Sequence, residues 1–371
     1  MMRFFLIVLM YIAVNLYIGW HGYFVLSYFE VPFLSSVYWV LFWVIALSYL
    51  FGRFRLLPGP VGRLFQFIGS YYFAVMEFAL ILLPIADLAA WLLKKLGLNA
   101  AIPIISPIVI ILLVSLLLRG SWNAWSPVIR TYELNIDKKA DNLKELRIAV
   151  ASDLHLGNIV GNRHLKRLVE RMSDLKPDLI LLPGDVIDDV IEPFIRKQMS
   201  QNMKQLQAPY GIYAVLGNHE YYGGHIEEYV KQMNAIGIRV LRDESVLVND
   251  ALYIAGRKDK TAESADPDGR LSVTSLLADL DVIRPIIMMD HQPYQFDKAA
   301  DAGVDLLLCG HTHRGQFAPN HWITGRLFEL DWGYLLKKKM HVIVSSGFGT
   351  WGPPIRLASR SEIIDITIRF R

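Results

Sequence analysis

The chain has almost no cysteine: Cys309 is the only one, so no internal disulfide can form. A lone thiol fits a reducing compartment without requiring one. Excess charge is also scarce. A net charge of +3 over 371 residues provides no basic tail or stripe to neutralise a run of phosphates, so nucleic acid is not an expected partner. No internal repeat or low-complexity tract is visible along the chain. Residues 347–352 are glycine-rich, but they lack the strand, spacing and acidic partner of a dinucleotide fingerprint and read as loop.

Before residue 120 charge itself is rare. The chain is 53% hydrophobic with a positive mean hydropathy, too apolar for an ordinary soluble protein. The excess sits almost wholly in the first 120 residues, and the remainder has normal globular balance. Four stretches suit a hydrocarbon core about 30 Å thick, which takes roughly 20 apolar residues in a helix. They run from Phe4 to Trp20 or beyond, Phe33 to Phe51, Ser70 to Leu93, and Ile102 to Leu118. Arg3 precedes the first, as in a signal peptide, but no small-residue cleavage site follows and further apolar stretches do, so it reads as a retained anchor.

Residues 1–120 are therefore expected to form a transmembrane region of about four helices. The chain is expected to be an integral protein of the plasma membrane with the lipid bilayer as partner. Flanking Arg3, Arg53, Arg55, Arg63 and Arg119 outweigh Lys94 and Lys95, so with four crossings the C-terminal domain is expected in the cytoplasm. Glu77 and Asp87 lie in the third stretch; Asp87 is near its end, and Glu77 reads as facing a neighbouring helix or a break near Pro84 rather than as a transport path. Trp122 and Trp125 suit the membrane interface. Residues 121–144 read as an interfacial segment and linker, whose polar part is Asp137 to Glu145, and residues 145–371 as a second domain.

In that domain short apolar runs alternate with helical patterns, as in an α/β fold. The run Leu146 to Ala151 leads to Asp153 and His155, and Leu179 to Leu182 leads to Asp185. Ile212 to Leu216 leads to Asn218 and His219, Ile286 to Met289 to His291, and Leu306 to Cys309 to His311 and His313. Ligands of open α/β sheets bind beyond the carboxyl ends of strands, so these loops are expected to converge on one crevice. Any one Asp after a strand is usually a turn or cap residue; five such loops together are a different matter. Their mixed oxygen and nitrogen donors suit divalent manganese, iron, zinc or magnesium better than thiolate-preferring metals. Histidines outside these loops, such as His164 and His225, read as surface-like.

Asp153-Leu154-His155, Gly184-Asp185, Gly217-Asn218-His219-Glu220, His291 and Gly310-His311-Thr312-His313 resemble the calcineurin-like metallophosphoesterases in order and spacing. The resemblance covers about residues 145–371, including Ser346 to Thr350 and Pro354-Ile355-Arg356. It implies a four-layer αββα sandwich of two mixed sheets, with later strands near Leu252 to Ala255 and Ile363 to Ile368 in the second sheet. It also implies two divalent cations, manganese first, with iron, zinc, magnesium or cobalt as alternatives. Asp153, His155 and His313 would hold the first, Asn218, His291 and His311 the second, and Asp185 would bridge them. His219 would be the general acid for in-line attack by a metal-bound hydroxide.

The motif departs from its relatives where Arg314 follows His313 in place of a common Gly; a guanidinium there could contact a substrate phosphate. Serine/threonine phosphatases share Gly217-Asn218-His219-Glu220, but the Val-Ile-Asp-Asp after Asp185 and Leu216 differ from that branch. The expected substrate is a phosphorylated compound, with a lipid-linked one such as a sugar-nucleotide lipid diphosphate favoured by the anchor. Alternatives are a phosphodiesterase acting on soluble nucleotides and a non-catalytic membrane receptor or scaffold.

Overall fold

The computed structural model describes residues 2–31, 34–53, 56–57, 59–98 and 101–371. It divides into two compact units, Met1–Ser121 with Gly352–Ile355, and Trp122–Trp351 with Arg356–Arg371. The helices of the first part are α1 (Met2–Tyr28), α2 (Ser35–Ala46), α3 (Ser48–Arg53), α4 (Gly59–Lys95) and α5 (Ala101–Trp125).

Among the described residues three helices, not four, are long and apolar enough to cross a membrane: Phe4–Tyr28, Gly59–Lys95 and Ile102–Trp125. The stretch read as Phe33 to Phe51, whose first residue lies outside the described ones, breaks at Leu47 into α2 and α3. The 12 residues of α2 rise about 18 Å, well short of a hydrocarbon core of about 30 Å. At the break the Ser48 hydroxyl donates to the Ile45 carbonyl at 2.6 Å, a local bond that competes with helix continuation. Beyond it α3 packs on α4, with glycine on both sides: a Cβ on Gly52 would collide with Gly62 and Gln66, and one on Gly69 with Tyr49. Helices in lipid associate through such small residues and through polar bonds. Asp87 accepts from His21 Nε2 at 2.9 Å and from the Tyr17 hydroxyl at 2.6 Å, and the Tyr72 hydroxyl donates to Asn15.

Three crossings also change the parity on which the cytoplasmic expectation rested. Arg3 then shares a side with Lys94 and Lys95, opposite Arg53, Arg63 and Arg119, a balance too even to set orientation. Arg55, counted in that expectation, lies outside the described residues.

The second unit holds twelve strands: β1 (Val128–Ile136), β2 (Glu145–Val150), β3 (Leu179–Pro183), β4 (Ile212–Val215), β5 (Ile238–Leu241), β6 (Glu244–Val248), β7 (Leu252–Gly256), β8 (Ile286–Met289), β9 (Leu306–Cys309), β10 (Gly333–Lys337), β11 (Met340–Val344) and β12 (Glu362–Phe370). They form two six-stranded mixed sheets, ordered β1-β12-β2-β3-β4-β5 and β10-β11-β9-β8-β7-β6. Alternate residues explain the layers. Leu146, Ile148 and Val150 of β2 join Leu306 and Leu308 of β9 in a core between the sheets. Ala149 faces outward to Leu165, Leu168 and Met172 of α6 (Asn162–Leu175), and Leu307 and Cys309 face Val273, Leu276 and Phe296. Strands covered on both faces read as unbroken apolar runs, which is why these were legible in the sequence.

Two strands differ from expectation. Residues 363–368, read into the second sheet, belong to β12 of the first, where β12 runs antiparallel to β2 with Ile364 opposite Val150. Val128–Ile136, read as part of a linker, is β1, paired in parallel with β12. Its Arg130 bonds the buried Glu362 at 2.6 Å, and Leu134 and Ile136 are buried. Trp125 does not stand free for an interface: its ring lies 5.0 Å from that of His164. His164 is itself buried rather than surface-like, bonded to the Phe348 carbonyl at 3.2 Å and stacked on the Phe348 ring.

Candidate metal centre

The loops after β2, β3, β4, β8 and β9 carry Asp153 and His155, Asp185, Asn218 and His219, His291, and His311 and His313, respectively, and they converge. His155 Nε2 lies 2.9 Å from His313 Nε2, which is 3.4 Å from Asp153 Oδ1. On the other side His291 Nε2 lies 3.1 Å from Asp185 Oδ2 and 3.2 Å from Asn218 Oδ1, and His311 Nδ1 lies 2.8 Å from Asn218 Oδ1. Asp185 Oδ2 is also 3.9 Å from His155 Nε2, so this carboxylate reaches both halves. Asp153 with His155 and His313, and Asp185 with His291 and His311, each gather donor atoms within 4.8 Å of one another.

The backbone accommodates this at a cost. Asp153, His155, Asp185, His311 and His313 all have positive φ, between 45 and 72 degrees, a region that non-glycine residues avoid unless the surroundings impose it, and which clusters at functional sites. Glu220, quoted in the sequence motif without a role, supplies part of that constraint. Fully buried, it accepts from the backbone N–H of Gly217 at 2.7 Å, Ile187 at 3.0 Å and Asp185 at 3.1 Å, joining the β3 and β4 loops. Burial, with Asp185 nearby, pushes its carboxyl up to about 8, against the pull of those N–H donors toward the ionised form.

The donors suit a cation. Burial holds His155 and His313 well below the usual imidazole range, and burial with His291 takes His311 down to about 4, so at neutral pH these rings carry lone pairs. Burial would raise Asp185, but His291, His219 and His155 more than offset it and hold the carboxyl below its ordinary value. Asp153 rises to about 6 through burial and the Asp185 charge. Its Oδ2 is buried without a hydrogen-bond partner, as is His155 Nδ1. Buried polar atoms are normally satisfied; here coordination would do it. His291 donates Nδ1–H to the Pro183 carbonyl at 2.8 Å, which turns Nε2 inward; burial would lower this imidazole, but Asp185 and Asp153 raise it well above its ordinary range, so a cation at Nε2 would displace a proton.

Asp188, Asp189 and Arg356, which sequence reasoning left without roles, support the centre. His219 Nδ1 lies 2.7 Å from Asp189 Oδ1 and 3.7 Å from Asp188 Oδ1. Burial would lower this imidazole, but the bond to Asp189 and the charges of Asp185 and Asp188 raise it to about 9. Arg356, fully buried, donates to His313 Nδ1 at 3.0 Å, to the Ser346 carbonyl at 2.6 Å and to Ser359 Oγ at 2.8 Å. A neutral His313 that accepts at Nδ1 carries its proton on Nε2, so to ligate a cation through Nε2 it would have to shift that proton to Nδ1 and give up the Arg356 bond. Arg314 has its guanidinium 4.1 Å from the Trp332 ring centre and donates to the Ala358 carbonyl at 2.8 Å. The pair Asp188 and Asp189 was visible in sequence only as a departure from protein phosphatases; a carboxylate three or four positions after Asp185 was the available signal.

Two facing sheets with a carboxylate–imidazole cage at their strand ends define an α/β domain whose donor clusters could hold metal ions. Residues 146–315 match the model of the calcineurin-like phosphoesterase family. An uncharacterised metallophosphoesterase of Aquifex aeolicus is 34% identical over 65% of this chain and 94% of its own length. A Danio rerio transmembrane protein with a metallophosphoesterase domain is 30% identical over 66% of this chain, which spans only 58% of that relative. A solved Thermus thermophilus structure aligns at 15% identity over 55% of this chain and 91% of its own, with a TM-score of 0.40. The chain belongs to the calcineurin-like metallophosphoesterases, a family of metal-dependent phosphoric ester hydrolases.

Proposed function

We propose that the second unit hydrolyses a phosphoester or phosphoanhydride with two divalent cations, and that the apolar helices hold it at a membrane where its substrate is lipid-linked. The observation that supports the pair is the position of Asp185 between two donor groups: Asp153, His155 and His313 for one cation, Asn218, His291 and His311 for the other, and Asp185 for both. An anionic bridge is what two adjacent cations require, because it offsets their repulsion. The oxygen and nitrogen donors favour manganese, with iron, zinc, magnesium or cobalt as alternatives.

When bound, such cations draw charge from the phosphoryl oxygens and make water acidic enough to attack near neutral pH. The chain's own residues do the rest. Asp189, beside His219 Nδ1, fixes the ring and leaves Nε2 as the atom that gives up a proton. As the water oxygen forms its bond to phosphorus, the bond to the leaving oxygen breaks. That oxygen takes the proton from His219, and the proton of the water returns to solvent. A substrate contact by Arg314, part of the same proposal, uses an N–H not committed to Ala358. The support for a lipid-linked substrate is the set of three apolar helices.

The test is a metal-supplemented assay of full-length protein in detergent against a lipid diphosphate, cyclic nucleotides and aryl phosphates. Preference for the lipid diphosphate supports the whole proposal. Preference for nucleotides removes the lipid-linked part, and inactivity with every metal and substrate removes the hydrolase.

A further inference from the structure

The cage is lined with buried polar groups, but the surroundings of His219 differ in kind. Tyr222, on the same short helix Asn218–Gly223, has its ring centre 5.7 Å from that of His219, and Trp351 has its own at 6.3 Å. Both rings stand roughly edge-on to the imidazole, at 65 and 68 degrees. Both are open to solvent, 65% and 61% exposed, so neither serves the core.

Trp351 is nonetheless firmly placed. The side chain of Gln316, buried in the turn after His313, accepts from the Trp351 N–H at 3.0 Å and donates to the Trp351 carbonyl at 3.0 Å. An amide that satisfies both backbone groups of one residue fixes where that ring begins, and it ties the ring to the loop that carries His311 and His313. Large exposed apolar rings held at a site, rather than scattered, mark a surface that meets a partner.

We infer that Tyr222 and Trp351 form a subsite for a bulky apolar group, aromatic or hydrocarbon, attached to the leaving oxygen of the substrate. The inference rests on His219 as the proton donor: the atom it protonates lies against its ring, and both aromatic rings lie within about one ring's breadth of that imidazole, so the group that oxygen carries comes within their reach. Small, hydrated leaving groups gain nothing from such walls. An aryl or alkyl group gains stacking or burial on them, on a scale that corresponds to about tenfold or more in specificity.

The experiment compares esters matched in leaving-group acidity, using full-length, metal-loaded protein: phenyl against 2-naphthyl phosphate, ethyl against hexyl phosphate, and the methyl diesters of the two aryl groups. The larger member of at least one pair is expected to show about tenfold higher kcat/KM. That ratio should fall toward unity in Trp351→Ala and Tyr222→Ala and survive in Trp351→Phe, with metal content and melting temperature unchanged. A gain confined to the aryl pairs assigns an aromatic ligand, and one confined to the alkyl pair a hydrocarbon chain. Equal kcat/KM across every pair overturns the subsite while leaving the hydrolase intact. So does an unaltered ratio in both alanine variants, including the case in which they lose only binding to lipid vesicles. Absence of hydrolysis of any ester contradicts the hydrolase reading itself.

Discussion

Glu220→Gln is nearly isosteric, and its consequence follows from counting donors. In its ionised form, above about pH 8, the carboxylate faces three backbone N–H groups, those of Gly217 and Asp185 on Oε2 and that of Ile187 on Oε1. The amide has one acceptor oxygen; if it keeps the first two, its NH2 is left facing the Ile187 N–H. One hydrogen bond is lost and two buried donors confront each other. An unsatisfied buried donor costs about 1–3 kcal/mol, so the variant loses about 3 kcal/mol, which for a domain of 150–250 residues is roughly 6–12 °C in melting temperature. Because the severed loops carry Asp185 and Asn218, metal occupancy falls with stability. Calorimetry of the full-length protein, with metal analysis of the same samples, checks both. A variant that melts within a degree or so of wild type and keeps its metal would refute the view that Glu220 holds these loops together.

Other expectations concern groups elsewhere. His164, lowered to about 4 chiefly by burial, stays neutral in the folded state where the unfolded ring, near 6.5, takes up a proton. Its contribution is therefore complete above about pH 6.5 and is lost as pH falls toward 4, by about 2 kcal/mol between pH 7 and pH 5; urea unfolding at these two pH values should show a smaller difference in His164→Gln. His219→Asn should reduce turnover about 10²- to 10⁴-fold with metal content unchanged, and a parallel loss of metal would make His219 a ligand instead. A fragment that begins at Asp137 lacks β1, which leaves β12 as an open edge and Glu362 without Arg130. It should be less stable and more prone to aggregate than one that begins at Trp122, as light scattering would show.

The ligand-type residues were readable because each follows a short apolar run at a strand end, and a strand buried on both faces is hard to mistake when its loop carries Asp or His. What stayed hidden depends on tertiary placement. Nothing local to Glu220 says that its carboxylate will meet N–H groups 33 and 35 residues away, nor does Arg356 announce a contact with His313 from 43 residues off. His164 looked like a surface residue because the polar face of α6 resumes on either side of it at Arg163 and Lys166. β1 was taken for linker because an edge strand exposed on alternate residues looks polar until its partner is known. The second apolar stretch had the length of a span, but its composition did not reveal the break at Leu47.

The central claim is a pair of cations that share Asp185. Electron paramagnetic resonance of full-length protein loaded with manganese, alongside metal counting, tests it directly. Two ions per chain with an exchange-coupled spectrum, as expected for centres about 3.5–4 Å apart, should collapse to weakly bound, uncoupled manganese in Asp185→Asn. A wild-type protein that binds a single ion, or two with no magnetic coupling, would contradict the account.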